Sequence, residues 1–242
     1  MTAPDERRDE LAAARARVSA RIAAACRAAG RDPSEVTLVA VTKTYPAADV
    51  LRLAELGVRD IGENRDQEAA PKAAAVAASG VDVRWHFVGQ LQRNKCRSVA
   101  RYAYAVHSVD RLPLVDALAR ASDAALDAGH RRAPVEVLLQ LSLDGDPSRG
   151  GARREELGAL ADAVAARPTL RLAGLMAVAP LDWAPERAFA LLAEVAAGIR
   201  AAHPDATALS AGMSGDLEAA VAYGATHVRI GSALLGNRPP VR

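Results

Sequence analysis

Lysine is scarce in this chain: only positions 43, 72 and 95 carry it among 31 Lys and Arg residues. Lys43 directly follows Val36-Thr37-Leu38-Val39-Ala40-Val41-Thr42, a short apolar run that reads as a buried parallel strand. Pro46 then stands where a helix can begin. An amine just past the carboxyl end of a strand lies at the mouth of a sheet or barrel, and an amine, unlike a guanidinium, forms a Schiff base with a carbonyl. A solvated lysine ending a strand explains this stretch equally well. A second informative stretch is Ser210-Ala211-Gly212-Met213-Ser214-Gly215-Asp216, whose small residues let the backbone approach a ligand. Ser214 is placed to cap the next helix, where free N–H groups suit an anion such as phosphate. Gly231-Ser232 repeats the arrangement. Ordinary serine caps and glycine turns account for either stretch alone.

The elements that must carry these groups alternate. An amphipathic helix is expected over residues 5–29, with Leu11, Val18, Ile22, Ala25 and Ala29 on one face. Strands are expected at 36–41, 58–62, 83–88, 104–109, 135–142, 172–178, 207–210 and 226–230. Helices should follow each, over about 46–56, 65–79, 91–101, 110–129, 153–166, 185–202, 214–224 and from Ser232, with Asp110 and Ser214 as caps and a Pro-containing tail at the end. Eight strand–helix units in 242 residues match an α/β TIM (β/α)8 barrel with an additional N-terminal helix, one domain over 1–242. A doubly wound sheet competes, but no GxGxxG follows the first strand.

In a barrel, functional groups gather where strands run into loops on the carboxyl face, and phosphate sites commonly follow strands seven and eight. Lys43, Asn64, His86, Met176, Ser210, Ser214, Arg229 and Gly231 all fall at such places, with Glu63, His107, Gln140 and Ser142 in comparable ones. Together the two glycine-serine stretches therefore favour phosphate over simple capping. An amine after strand one, a phosphate cup after strands seven and eight and Arg229 between them point to pyridoxal phosphate on Lys43. An arginine beside the pyridine nitrogen can donate a hydrogen bond but not a proton, so the ring would be a weak electron sink.

Other classes find less support. A formal charge of +2 and 3% aromatic residues offer neither field nor stacking surface for nucleic acid. Five histidines without HxH or HExxH spacing, and two distant cysteines, argue against a metal and against a disulfide framework. His227, inside a strand, reads as packed or exterior to the barrel. No apolar run approaches the ~20 residues of a membrane span, and the charged amino terminus lacks a secretory core. A cytoplasmic protein is expected.

Six motifs then carry a family resemblance in register from about residue 36 to 236. They are Val41-Thr42-Lys43-Thr44, Gly62-Glu63-Asn64 with Gln67-Glu68, and Trp85-His86-Phe87-Val88-Gly89 with Leu91-Gln92 and Asn94-Lys95. Gly174-Leu175-Met176, Leu209-Ser210 with Gly212-Met213-Ser214, Asp216 and Glu218-Ala219-Ala220, and Val228-Arg229-Ile230-Gly231-Ser232 complete the set. Together they resemble the pyridoxal phosphate homeostasis proteins. The resemblance implies a barrel like that of alanine racemase, with pyridoxal 5′-phosphate on Lys43. It also implies phosphate contacts from Ser210, Ser214, Gly231 and Ser232, Arg229 near the pyridine nitrogen, and Asn64, His86 and Met176 lining the ring. Members of that family are thought to buffer and deliver the cofactor to apo-enzymes that depend on it, without established turnover. Arg65, where many relatives carry an aromatic residue, and the loop 144–151, with Arg149 where lysine is common, depart from the pattern at the expected pocket mouth.

A racemase of the alanine-racemase type is the alternative. Racemisation wants acid/base groups on both faces of the substrate, and the second comes from an added β-domain for which the chain has no room after its eighth strand. Loss of that interface favours a monomer. A third possibility, a Schiff-base aldolase for a sugar phosphate, needs no cofactor and would be colourless.

Overall fold

The structure is a computed structural model that describes residues 5–236; the expected Pro-containing tail lies outside the described residues. Eight short strands, β1 (Thr37–Val41), β2 (Asp60–Glu63), β3 (Arg84–Phe87), β4 (Ala103–Val109), β5 (Val135–Gln140), β6 (Leu170–Met176), β7 (Ala208–Ser210) and β8 (His227–Ile230), close in sequence order into one parallel barrel. β8 pairs back onto β1, with Val39 opposite Arg229. The helices are α1 (Glu6–Ala28), ahead of the barrel, then α2 (Ala47–Glu55), α3 (Asp66–Ala78), α4 (Cys96–Tyr102) and α5 (Leu112–Asp127). They continue with α6 (Leu157–Ala165), α7 (Pro185–Ala202), α8 (Leu217–Ala222) and α9 (Ser232–Leu235). This is the TIM barrel with an additional N-terminal helix that the alternating pattern predicts.

Strand alternation divides the side chains between two sides of the barrel wall. Ile61, Trp85, Phe87, Val106, Val137, Leu139, Leu209, Val228 and Ile230 belong to the two large apolar clusters that join strands to helices. The residues between them turn inward. Branched apolar side chains usually fill a TIM-barrel interior. Here a small group of Ala105, Leu138 and Met176 shares it with a column of Asp60, His86, His107, Ser210, His227 and Arg229.

Close packing around this interior fixes one glycine. At Gly174 in β6, with φ 154°, a Cβ would lie 1.8 Å from the Ala208 carbonyl oxygen of β7. The register between β5 and β6 shifts by one residue beside it.

Helix α1 buries Leu11, Ala14, Val18, Ile22, Ala25 and Cys26, at the three- and four-residue spacing of one helical face. Its arginines, with Arg31 just beyond its end, hold the last elements of the chain. Arg7 donates to the Leu235 carbonyl, Arg21 to the Ser214 carbonyl and to Glu218, and Arg31 to the carbonyls of Val221 and Ala225. The additional helix thus braces the loops after β7 and β8.

Two local expectations change, and one left open is decided. Asp110 does not cap α5; its carboxylate takes the Gly151 N–H at 3.2 Å and pairs with Arg111. Residues 154–156 form a 3-10 turn, so α6 starts at Leu157. His227 is not on the barrel exterior: it shares the inward face with Arg229 two residues on, and its ring stands 6.1 Å from that of His107.

Candidate functional site

Strand β1 ends in a turn that is anchored from both sides. Thr42 Oγ1 donates to Glu63 Oε1 at 2.6 Å, and the Thr42 carbonyl accepts from Lys72 Nζ at 2.8 Å and from the Tyr45 N–H at 3.0 Å. Lys72 Nζ also meets Glu63 Oε1 at 2.5 Å, an ion pair buried between β2 and α3. Thr44 has φ 71°, a left-handed conformation unfavourable for a β-branched residue, and its N–H donates to Glu68 Oε2. Lys43 sits between these two fixed residues, half-buried. Glu63 and Lys72 therefore act outside the barrel wall, on the backbone that presents Lys43.

A cleft of about 650 Å³ opens at the carboxyl end of the barrel. Lys43, Asn64, Ser214, Arg229, Gly231 and Ser232 line it together, with Val41, Tyr45, Val88 and Val178 as apolar walls. Sequence reasoning missed these apolar walls. Val41 and Val88 were legible as the inward strand-end neighbours of Lys43 and His86. Asn64 is held from behind by Gly89, where a Cβ would come within 2.1 Å of the Asn64 carbonyl oxygen.

The loops after β7 and β8 meet at Ser214. Its Oγ accepts from the Ala233 N–H at 3.3 Å and from the Ser232 hydroxyl at 3.4 Å. Ser214 therefore ties its loop to the start of α9 and does not cap α8; Asp216 Oδ1 accepts from the Met213 N–H instead. Gly212 allows the bend, with φ 89° and space for a Cβ closed by Ala220 Cβ at 2.6 Å. Among the described residues, the backbone N–H groups of Ser214, Gly215 and Ser232 have no hydrogen-bond acceptor.

Arg229 forms the floor. It is buried, and its guanidinium donates to Ser210 Oγ at 2.6 Å and to the Ala177 carbonyl at 2.9 Å. Two of five N–H groups are thereby spent. Burial pulls its pKa down to about 10, with Asp216 offsetting part of the loss. No carboxylate bonds to Arg229 among the described residues, so this cation has donors to spare on the cleft side.

Three expected residues lie beneath the cleft and do not line it. His86 and Ser210 join the polar column, and Met176 packs on Ala105 and Leu138. All three are inward-facing strand residues, one layer below the loops that shape the cleft. Asp60 and His107 complete the column; the alternation Asp60–Gly62 and Ala105–His107 was the signal for their inward face. Arg65 is exposed near Glu68, off the cleft, whereas Arg149 donates to the carbonyls of Val178 and Ala179. The 144–151 loop thus braces the cleft wall at Val178.

No group of His, Cys, Asp and Glu among the described residues could hold a metal, and no helix there is long and apolar enough to cross a membrane. Cys26 and Cys96 are both buried and free.

Comparison with known proteins gives a consistent family. The description "alanine racemase, N-terminal domain" matches residues 15–239. The pyridoxal phosphate homeostasis protein of Mycobacterium leprae is 48% identical, over 96% of this chain and 94% of its own. PipY of Synechococcus elongatus, in a structure with PLP bound, superposes with a TM-score of 0.77 at 33% identity, covering 90% of this chain and 100% of that one. The alanine racemase of Corynebacterium glutamicum, 16% identical, shares the fold with a TM-score of 0.65 over 94% of this chain and 60% of its own.

Proposed function

This chain belongs to the alanine racemase N-terminal domain family and stands there beside the pyridoxal phosphate homeostasis proteins, and from that membership we propose that it binds pyridoxal 5′-phosphate at Lys43 in intracellular homeostasis of the cofactor. One observation carries the reading: a scarce lysine, a hydroxyl-rich double loop and a buried arginine line a single cleft.

The residues present fit the group. Lys43 Nζ would carry it as a Schiff base. The hydroxyls of Ser214 and Ser232 and the open N–H groups of Ser214, Gly215 and Ser232 suit phosphate oxygens, with Gly231 admitting them closely. Asn64 and the valines would flank the ring. The unspent donors of Arg229 suit the pyridine nitrogen as an acceptor. When bound, the cofactor supplies a carbonyl carbon that exchanges amines and a ring that takes up electron density. Arg229 donates a hydrogen bond and retains its proton, so the nitrogen stays unprotonated and electron uptake stays weak. That suits a protein that stores and delivers the cofactor better than one that turns over amino acids. The same reading makes it a cytoplasmic monomer that passes cofactor to apo-enzymes.

Titration of the purified protein with pyridoxal phosphate tests this: a saturable visible band is expected, with Ser214→Ala weakening binding about tenfold, the worth of one charge-assisted hydrogen bond. Racemase turnover at enzyme-like rates would overturn the carrier reading in favour of the amino-acid racemase.

A further inference from the structure

The polar column in the barrel has a direction. Asp60 Oδ1 meets His86 Nε2 at 2.8 Å, His86 Nδ1 meets His107 Nε2 at 2.9 Å, and His107 Nδ1 meets Ser210 Oγ at 2.9 Å. Arg229 Nη1 donates to the same Oγ. Each of the five residues is at most 6% exposed. We propose that Asp60, His86, His107 and Ser210 form one polarised hydrogen-bond relay that positions Arg229 from beneath the cleft, with Ser210 serving the relay and not the phosphate.

The direction follows from the two ends. Arg229 can only donate, so Ser210 Oγ accepts from it. Asp60 is held ionised: against the cost of burial, bonds from His86 and Arg84 keep its carboxyl below the usual range. An ionised carboxylate can only accept, so His86 carries its proton on Nε2. A neutral His86 then accepts at Nδ1, which puts the His107 proton on Nε2. His107 Nδ1 is left to accept from the Ser210 hydroxyl. Every donor meets an acceptor, and no atom of the relay is left over.

The reverse arrangement costs more. A proton on His107 Nδ1 would require His86 to be a cation, adding a second buried positive charge near Arg229. It would also leave the Ser210 hydroxyl proton without a partner in the relay. Burial, with the Arg229 cation nearby, already holds His107 neutral. The groups around the relay agree: Arg84 lies on the outer side of Asp60, and His227, pushed down to about 4 by burial, packs neutral against both relay imidazoles.

The consequence for Arg229 is electrostatic as well as geometric. Among the described residues its guanidinium bonds to a carbonyl and a hydroxyl, yet the aligned relay presents the negative end of each dipole towards it and finishes at a carboxylate. The guanidinium is thereby kept charged and its plane fixed. For the cofactor, this rests on the proposed pyridoxal phosphate reading; the hydrogen-bond order itself does not.

Nitrogen-15 NMR of the full-length protein with labelled histidine tests the order before any cofactor is added. His86 and His107 should both be neutral with the proton on Nε2; a proton on His107 Nδ1 would overturn the relay. After loading with pyridoxal phosphate, Ser210→Ala and Asp60→Asn should shift the visible absorption maximum, while Ser210→Thr, which retains the hydroxyl, should restore the wild-type position. An unshifted maximum in both broken variants would show that the column only packs the barrel and would overturn the positioning role. If the wild-type protein takes up no coloured cofactor, the pyridoxal phosphate reading fails, and the histidine protons alone decide the relay.

Discussion

Replacing Lys72 by methionine should be one of the most damaging single changes outside the cleft. Lys72 is 8% exposed and Glu63 1%, and the ammonium is shared between Glu63 Oε1 and the Thr42 carbonyl. Methionine fills similar space but, among the described residues, leaves Glu63 with only the Thr42 hydroxyl, while its Oε2 already has no partner there. Removing one member of a buried ion pair costs about 3–5 kcal/mol, because the remaining charge is stranded. At about 2–4 °C per kcal/mol for a chain of this size, the melting temperature should fall by about 10 °C. Urea unfolding should show the same loss as a lower midpoint with an unchanged slope. The double variant Glu63→Gln with Lys72→Met removes the stranded charge and should recover about 2 kcal/mol of the loss. A cost below about 1 kcal/mol for Lys72→Met, or a double variant no better than the single, would refute the reasoning. Thr42 precedes Lys43, so the single variant should also load less cofactor.

Gly174→Ala would drive a methyl group into the Ala208 carbonyl at a φ that alanine avoids; it should cost about 3 kcal/mol or more by thermal or urea unfolding. Acid should destabilise the fold before its carboxylates titrate. His107 and His227 are held neutral by burial, so below about pH 6.5 the unfolded chain binds protons that the folded chain refuses. Their contribution is present in full above that value and declines as pH falls, for His227 down to about 4. At 1.36 kcal/mol per pH unit, each forfeits at most about 2 kcal/mol by pH 5, and the partly exposed His227 less. Urea unfolding between pH 7 and 5 should show the decline, and His227→Gln should flatten it.

The barrel was legible because its signals are local. Runs such as Val135–Leu139 alternate with helices that end at glycine, and both patterns are visible within a dozen residues. The cleft was legible for a related reason: in a barrel every strand end faces the same way, so Lys43, Asn64, Ser214, Arg229, Gly231 and Ser232 converge once eight units are counted. Depth and partnership were not legible. Ser210 ends β7 and Ser214 lies in the loop that follows, yet one bonds Arg229 inside the barrel and the other meets Ala233 at its mouth. The bond between His107 and Ser210 spans 103 positions, and that between Lys72 and the Thr42 carbonyl joins a helix to a strand end. Pairings of that kind follow from the closed barrel and not from neighbouring residues. For His227 the sequence left packed and exterior both open; the packed reading holds, and Arg229 two positions on, which shares its face, was the step that decides it.

The central claim is that Lys43 holds the cofactor. The most direct measurement is the visible spectrum of the purified, cofactor-loaded protein before and after borohydride, set beside that of Lys43→Ala treated in the same way. A yellow band that borohydride removes in the wild type, and that the substitution abolishes, is the predicted result. An identical band in Lys43→Ala would contradict the account.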